Sequence, residues 1–124
     1  MTSYDQLPSD LPAPADDGAC AHLPGLAFPA IPLPATDGRL VAVAAASRLM
    51  RTVLYIYPRT GRPGEPLPTD WDLIPGARGC TPEACAFRDH HAELRALGAQ
   101  VFGLSTQTTE YQQEMVERLH LPFP

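Results

Sequence analysis

Thr52-Val53-Leu54-Tyr55-Ile56-Tyr57, closed by Pro58, is the stretch on which the fold turns. β-branched, aromatic and aliphatic residues of this kind suit a pleated strand, and Pro58 ends it. A nearly continuous apolar run predicts a central strand buried on both faces, as in parallel α/β sheets. Downstream, residues 81 to about 97 predict a helix whose core face carries Ala84, Phe87, His91 and Leu94, with Gly98 as its stop. Gln100 to Ser105 predicts a second strand. Thr109 and Gln112 read as a capping box for a second helix from Glu110 to about His120. Strand, loop, helix, strand, helix is a βαβ unit, which requires parallel pairing and a right-handed crossover. The expected fold class is therefore α/β.

Upstream the signals weaken. Leu40 to Ala46 suits a short strand or the start of a helix equally, and Thr36-Asp37-Gly38-Arg39 is a turn signal. Seven of the fifteen prolines precede residue 35, so residues 1–22 are expected to form a flexible or loosely docked arm ahead of one domain, 23–124. Residues 58–79 form a long loop with five prolines and four glycines. Loops of that length inside compact domains are usually functional or disordered. No internal repeat is present.

Composition narrows the function classes. The 124 residues suffice for one core, and a net charge of −5 argues against a nucleic-acid backbone as partner. All nine basic residues are Arg, which removes lysine Schiff-base chemistry. No secretory signal pattern opens the chain, and the longest aliphatic stretch, Leu40 to Ala46, is too short to cross a bilayer. No membrane partner is expected. Three cysteines, an odd number, suit a reducing cytoplasmic setting better than a disulfide-stapled scaffold.

Two of those cysteines carry the chemistry, in Gly79-Cys80-Thr81-Pro82-Glu83-Ala84-Cys85-Ala86-Phe87-Arg88-Asp89. Thr81 as N-cap and Pro82 as first helical residue would set Cys80 just before a helix and Cys85 inside it. The unpartnered N–H groups of a helix start stabilise an anion, so Cys80 is expected to be ionised at neutral pH. The functional reading is a peroxidatic Cys80, oxidised to a sulfenic acid, and a resolving Cys85 that condenses with it. Residues five apart on an ideal helix have Cα atoms roughly 8–9 Å apart. A disulfide needs about 7 Å or less, so the helix start must unwind. Two other readings compete: a pair of buried, inert thiols, and a metal site of Cys80, Cys85, His90 and His91. Adjacent His90 and His91 point about 100° apart on a helix, and no second cysteine knuckle is present.

Taken with Val53-Leu54-Tyr55-Ile56-Tyr57-Pro58, Leu97-Gly98-Ala99, Val101-Phe102-Gly103-Leu104-Ser105-Thr106 and Leu121-Pro122-Phe123-Pro124, this motif resembles the peroxiredoxins. The similarity is to the Q-type group that includes the bacterioferritin comigratory proteins, and it covers Thr52 to Pro124. It implies a thioredoxin-like fold and thiol-dependent reduction of hydrogen peroxide and organic hydroperoxides. It further implies no metal or organic cofactor, recycling by thioredoxin or a similar dithiol, and a monomer or weak homodimer. Cys80 is then peroxidatic and Cys85 resolving. The family sets a Pro and a Thr at fixed distances before the peroxidatic Cys, where this chain has Leu73 and Ala77. Pro58 and Thr60 match them, displaced by an insertion at about 61–78 that is expected to loop out, leaving Thr60 at the site. The family pattern also continues past Leu-Pro-Phe-Pro through two strands and a helix, one strand carrying an arginine. The domain is therefore expected to be incomplete at its C-terminal side.

The alternative to an active peroxidase is a thioredoxin-fold fragment or redox-responsive binding module. A thiol-disulfide oxidoreductase would carry Cys-x-x-Cys, which is absent. Arg78 and Arg88 are candidates for lowering the Cys80 pKa. Cys20 and His22 in the arm read as incidental, Trp71 as an anchor for the insertion, and His120 as a complement to a helix C-terminus.

Overall fold

The computed structural model describes residues 9–124; the expected arm begins in residues 1–8, which lie outside the described residues. In chain order the elements are β1 (Pro32–Pro34), β2 (Leu40–Ala42), α1 (Val43–Leu49), β3 (Arg51–Tyr57), α2 (Cys80–Asp89), α3 (His91–Ala96), β4 (Ala99–Ser105) and α4 (Thr109–Leu119). β3 and β4 pair in parallel, from Arg51 opposite Ala99 to Tyr57 opposite Ser105. This is the βαβ unit expected from the residue pattern. The ambiguous Leu40–Ala46 run resolves into both of its readings, β2 passing directly into α1. β1, hidden among prolines in the sequence, pairs antiparallel with β2. The turn between them closes through Gly38 N–H to Ala35 O and Ala35 N–H to Arg39 O.

Burial follows the period of two that a strand imposes. The face carrying Tyr55, Tyr57, Ala99 and Val101 is buried, and Cys80 and Ala84 of α2, Met115 of α4, and Leu121 and Phe123 pack with Tyr55, Tyr57 and Val101 in one cluster. The opposite face is only partly covered, which corrects the expectation of a strand buried on both sides. Ile56 is 68% exposed and Leu54 half-buried. The reason is the placement of the helices: α2, α3 and α4 all contribute to the first face. α1 lies at the other, where Gln100 Nε2 donates to Ala46 O and to Thr52 Oγ1. Between the hairpin and this face remains a cavity of about 220 Å³, lined by Leu33, Val41, Leu54, Phe102 and Leu104 among others.

Three helix boundaries differ from the sequence expectation. The helix expected over 81–97 divides at His90, which leaves the helical region (φ −102°, ψ 9°). Across that break His91 meets the Phe123 ring, centroids 5.6 Å apart. Thr81 is a buried residue inside α2 rather than its cap, and Gly79 takes the N-cap position with no side-chain hydrogen bond. Thr108, one residue before the expected cap, closes α4 by accepting from the Tyr111 N–H at 3.2 Å. Gln112 turns instead to Gln107 O, so the capping box is not formed. Gly98 ends α3 with a positive φ of 74°, as expected.

Gly103 is fixed by packing. A Cβ there would stand 2.8 Å from Tyr55 Oη and 2.9 Å from its Cζ, so the Tyr55 ring occupies the space a side chain would need. Gly103→Ala should therefore destabilise the fold by roughly 1–3 kcal/mol, the usual range for overpacking a core. Urea unfolding followed by tyrosine and tryptophan fluorescence checks this, and an unchanged midpoint would contradict the packing described.

Candidate active site

Cys80 opens α2 at the carboxyl end of β3, where open α/β sheets gather reactive groups. Its thiol is 8% exposed and belongs to the core cluster, touching the aromatic layer of the sheet. Two backbone N–H groups act on the sulfur, that of Arg59 and its own. Cys85 lies in the same unbroken helix, equally buried, and the two are not joined by a disulfide. Cys20 is exposed, in the N-terminal segment.

Electrostatics at Cys80 run against the sequence expectation. Burial pushes the thiol's pKa up, the amide hydrogen bonds pull it down by less, and the Glu83 carboxylate raises it further. Removing a thiolate from water costs more here than the helix start returns. Cys80 is thus a protonated thiol at neutral pH in this conformation. The two candidate arginines are engaged elsewhere. Arg78 makes a bidentate pair with Asp72 at 2.8 and 2.7 Å, and Arg88 donates to Asp89 and to Leu119 O. Glu83's own pKa is raised by burial, and Tyr57, next to Cys80, is pushed up to about 12, chiefly by burial.

Thr60 is almost fully buried, and its surroundings were not legible from spacing. Its N–H and its hydroxyl both donate to Gln107 Oε1, at 3.0 and 3.2 Å, while Gln107 Nε2 donates to Thr60 O at 3.4 Å. Tyr111 Oη donates to the same carbonyl, and Arg118 donates to Gly61 O. Arg62 lies over the Tyr111 ring, 4.2 Å from its centroid, and reaches Glu114, which Arg118 also holds. Gln107 and α4 thus clamp the segment running into the insertion, while Pro58 and the Arg59 N–H face Cys80. Arg59 Nε is a buried donor without an acceptor among the described residues. Gln107 carried one sequence signal: it follows the carboxyl end of β4.

His90 is paired with Glu93 on the surface, and His91 with Phe123 in the core. Among the described residues no group of three or more His, Cys, Asp or Glu is placed to hold a metal ion. No helix among them is long and apolar enough to cross a membrane.

Cys80 thus stands at a strand end with a second cysteine later in the same helix. Residues 73–124 match the AhpC/TSA family. Over that stretch the chain is similar to that family. It is 28% identical over 99 residues to a putative peroxiredoxin bcp of Coxiella burnetii, a match covering 80% of this chain and 55% of that one. Peroxiredoxin Bcp of Bacillus subtilis is 37% identical over 71 residues, covering 57% and 36%. The chloroplastic peroxiredoxin Q of Oryza sativa subsp. japonica is 31% identical over 99 residues, covering 80% and 38%. The chain spans about half the length of these relatives or less. The AhpC/TSA match implies a thioredoxin-like fold, with which the β3-α2-α3-β4-α4 unit agrees.

The raised Cys80 pKa has a measurable consequence. Alkylation of Cys80 by iodoacetamide should keep accelerating from pH 7 to 9, with no plateau in that window, because only the thiolate reacts. The folded state holds this proton more tightly than the unfolded chain. Its contribution to stability is therefore intact below the thiol's ordinary pKa and lost as pH rises toward the folded value. A rate already at its plateau by pH 7 would show that Cys80 is ionised after all.

Proposed function

We propose that the protein is a thiol-dependent peroxidase acting on hydrogen peroxide and organic hydroperoxides. The observation that carries the reading is Cys80 at the start of α2, opening on a cavity, with the Arg59 N–H at its sulfur and Cys85 in the same helix. Cys80 sulfur attacks the terminal oxygen of R–O–O–H; the S–O bond forms as the O–O bond breaks, leaving a sulfenic acid and R–OH. The Cys85 thiol then attacks the sulfenic sulfur, forming a disulfide and releasing water. Thioredoxin or a similar dithiol reduces that disulfide and is itself oxidised. No metal or organic cofactor takes part. The residues at work are Cys80 as peroxidatic, Cys85 as resolving, and Thr60, which follows the cavity residue Pro58 by two positions and is held by Gln107.

The reading places the protein in a reducing compartment such as the cytoplasm, as a monomer or weak homodimer that binds neither nucleic acid nor membrane. It treats residues 1–22 as an arm, 23–124 as the peroxiredoxin domain, and about 61–78 as an insertion. A second reading, a redox-responsive thioredoxin-fold module, is favoured by one observation: the burial that keeps Cys80 protonated.

A coupled assay with thioredoxin, its reductase, NADPH and hydrogen peroxide separates the two. Peroxide-dependent NADPH consumption is expected, abolished by Cys80→Ser and reduced at least tenfold by Cys85→Ser. Folded protein that forms the intramolecular disulfide yet consumes no NADPH would be the module. Thr60→Ala should lower the peroxide rate; an unchanged rate removes Thr60 from the site.

A further inference from the structure

The cavity in front of Cys80 measures about 630 Å³ and is walled by three separate parts of the chain. Ile56 and Pro58 come from the end of β3, Ala77 and Glu83 flank the thiol, and Leu11–Pro14 come from the N-terminal segment. That last wall is tied down. The Gly76 N–H donates to Pro12 O at 3.2 Å, and Pro14 Cγ sits 3.7 Å from where a Gly76 side chain would begin. Gly76 has a φ of 86°, a conformation that strains any residue with a Cβ, so its bareness serves both the turn and the contact. Leu11 is half-buried against this cavity.

The lining is mostly hydrocarbon, with Glu83 as its charged member and Tyr57 among the rest. Hydrogen peroxide gains little from walls this apolar, whereas an alkyl or aryl substituent would leave water there. Glu83 disfavours an anionic substrate. We propose that Leu11–Pro14 forms a substrate-binding wall over Cys80, so that uncharged hydroperoxides with a compact apolar substituent are preferred over hydrogen peroxide and over anionic hydroperoxides. This rests on the peroxidase reading. The step is the one given above: the distal oxygen goes to Cys80 sulfur, and the departing alkoxide takes a proton and leaves as the alcohol. The wall acts on the substituent and not on the reacting oxygens, making Leu11 a specificity-determining residue.

The test uses the full chain with dithiothreitol as reductant. The ratio of kcat/KM for cumene hydroperoxide to kcat/KM for hydrogen peroxide should exceed one in the parent and fall about tenfold in Leu11→Asp, the discrimination typical of a disrupted apolar contact. Leu11→Ser should give a smaller fall in the same direction. A second measurement needs no turnover: cumyl alcohol, the product, should slow iodoacetamide labelling of Cys80 in the parent and lose that effect in Leu11→Asp, read by peptide mass. A ratio unmoved by both substitutions, or no protection in the parent, overturns the proposal. Turnover of hydrogen peroxide with an unmoved ratio leaves the peroxidase reading standing. If no peroxide is turned over, that reading fails, and the labelling measurement alone decides whether the wall binds an apolar substituent.

Discussion

Tyr55 lies flat over Gly103, and the remainder of the described core is arranged around that ring. It stacks on Phe87 of α2 at 4.7 Å and on Tyr57 at 5.5 Å, and meets Phe123 edge-on at 6.0 Å. Each aromatic pair adds about 0.5–1.5 kcal/mol beyond the area it buries. The contacts with Phe87 and Phe123 also join segments far apart in sequence: the first strand of the pair, the helix carrying both buried cysteines, and the residues after α4. Because Gly103 has no side chain, the ring can approach β4 closely enough to make all three. Gly103 also donates its N–H to Pro124 O, so the last residues run along β4 at the same point. One glycine thus serves the ring above it and the chain beside it.

The same stack sets the chemistry of Cys80. A helix held this tightly against tyrosines carries its first residue into the core, where the thiol loses water. Burial raises the pKa of a thiol and helix-start N–H groups lower it, and here the first effect is larger. Sequence position alone suggests the opposite because it shows the helix start and not the depth at which that start is held. Reactivity and packing compete at one atom. Two backbone N–H groups at the sulfur are what the fold supplies toward ionisation, and they favour the charged form whenever a proton leaves.

Strand identity, parallel pairing and the position of the cysteine helix were legible because period and punctuation encode them: an apolar run ended by Pro58, and a second ended near Ser105. Burial of both faces of β3 was not legible, since a run such as Val53-Leu54-Tyr55-Ile56 reads alike whether helices lie on one side or both. Ile56 is the residue that decides it, and it is exposed. Helix caps slipped by a residue or two because Thr81 and Thr108–Thr109 offer hydroxyls at neighbouring positions, and tertiary contacts select among them. The surroundings of Thr60 were invisible for a different reason. Gln107 lies 47 residues away, and a long-range carboxamide contact leaves no local pattern.

The oxidation cycle proposed above must work against this packing. α2 runs unbroken from Cys80 to Asp89, and its core residues include Cys80, Thr81, Ala84 and Cys85. Joining the two sulfurs requires their Cα atoms to approach by about 1–2 Å relative to an ideal helix, which the first turn permits only by unwinding. Unwinding withdraws Cys80 from the tyrosine layer and gives up its part of the buried cluster. What it leaves in place is the other half of the site. The clamp on Thr60, Gly61 and Arg62 is made by Gln107, Tyr111, Glu114 and Arg118, none of them in α2. The insertion likewise carries its own ion pair, Arg78 with Asp72. In the proposed cycle, melting would then involve about one turn of helix, between two borders whose contacts do not depend on α2.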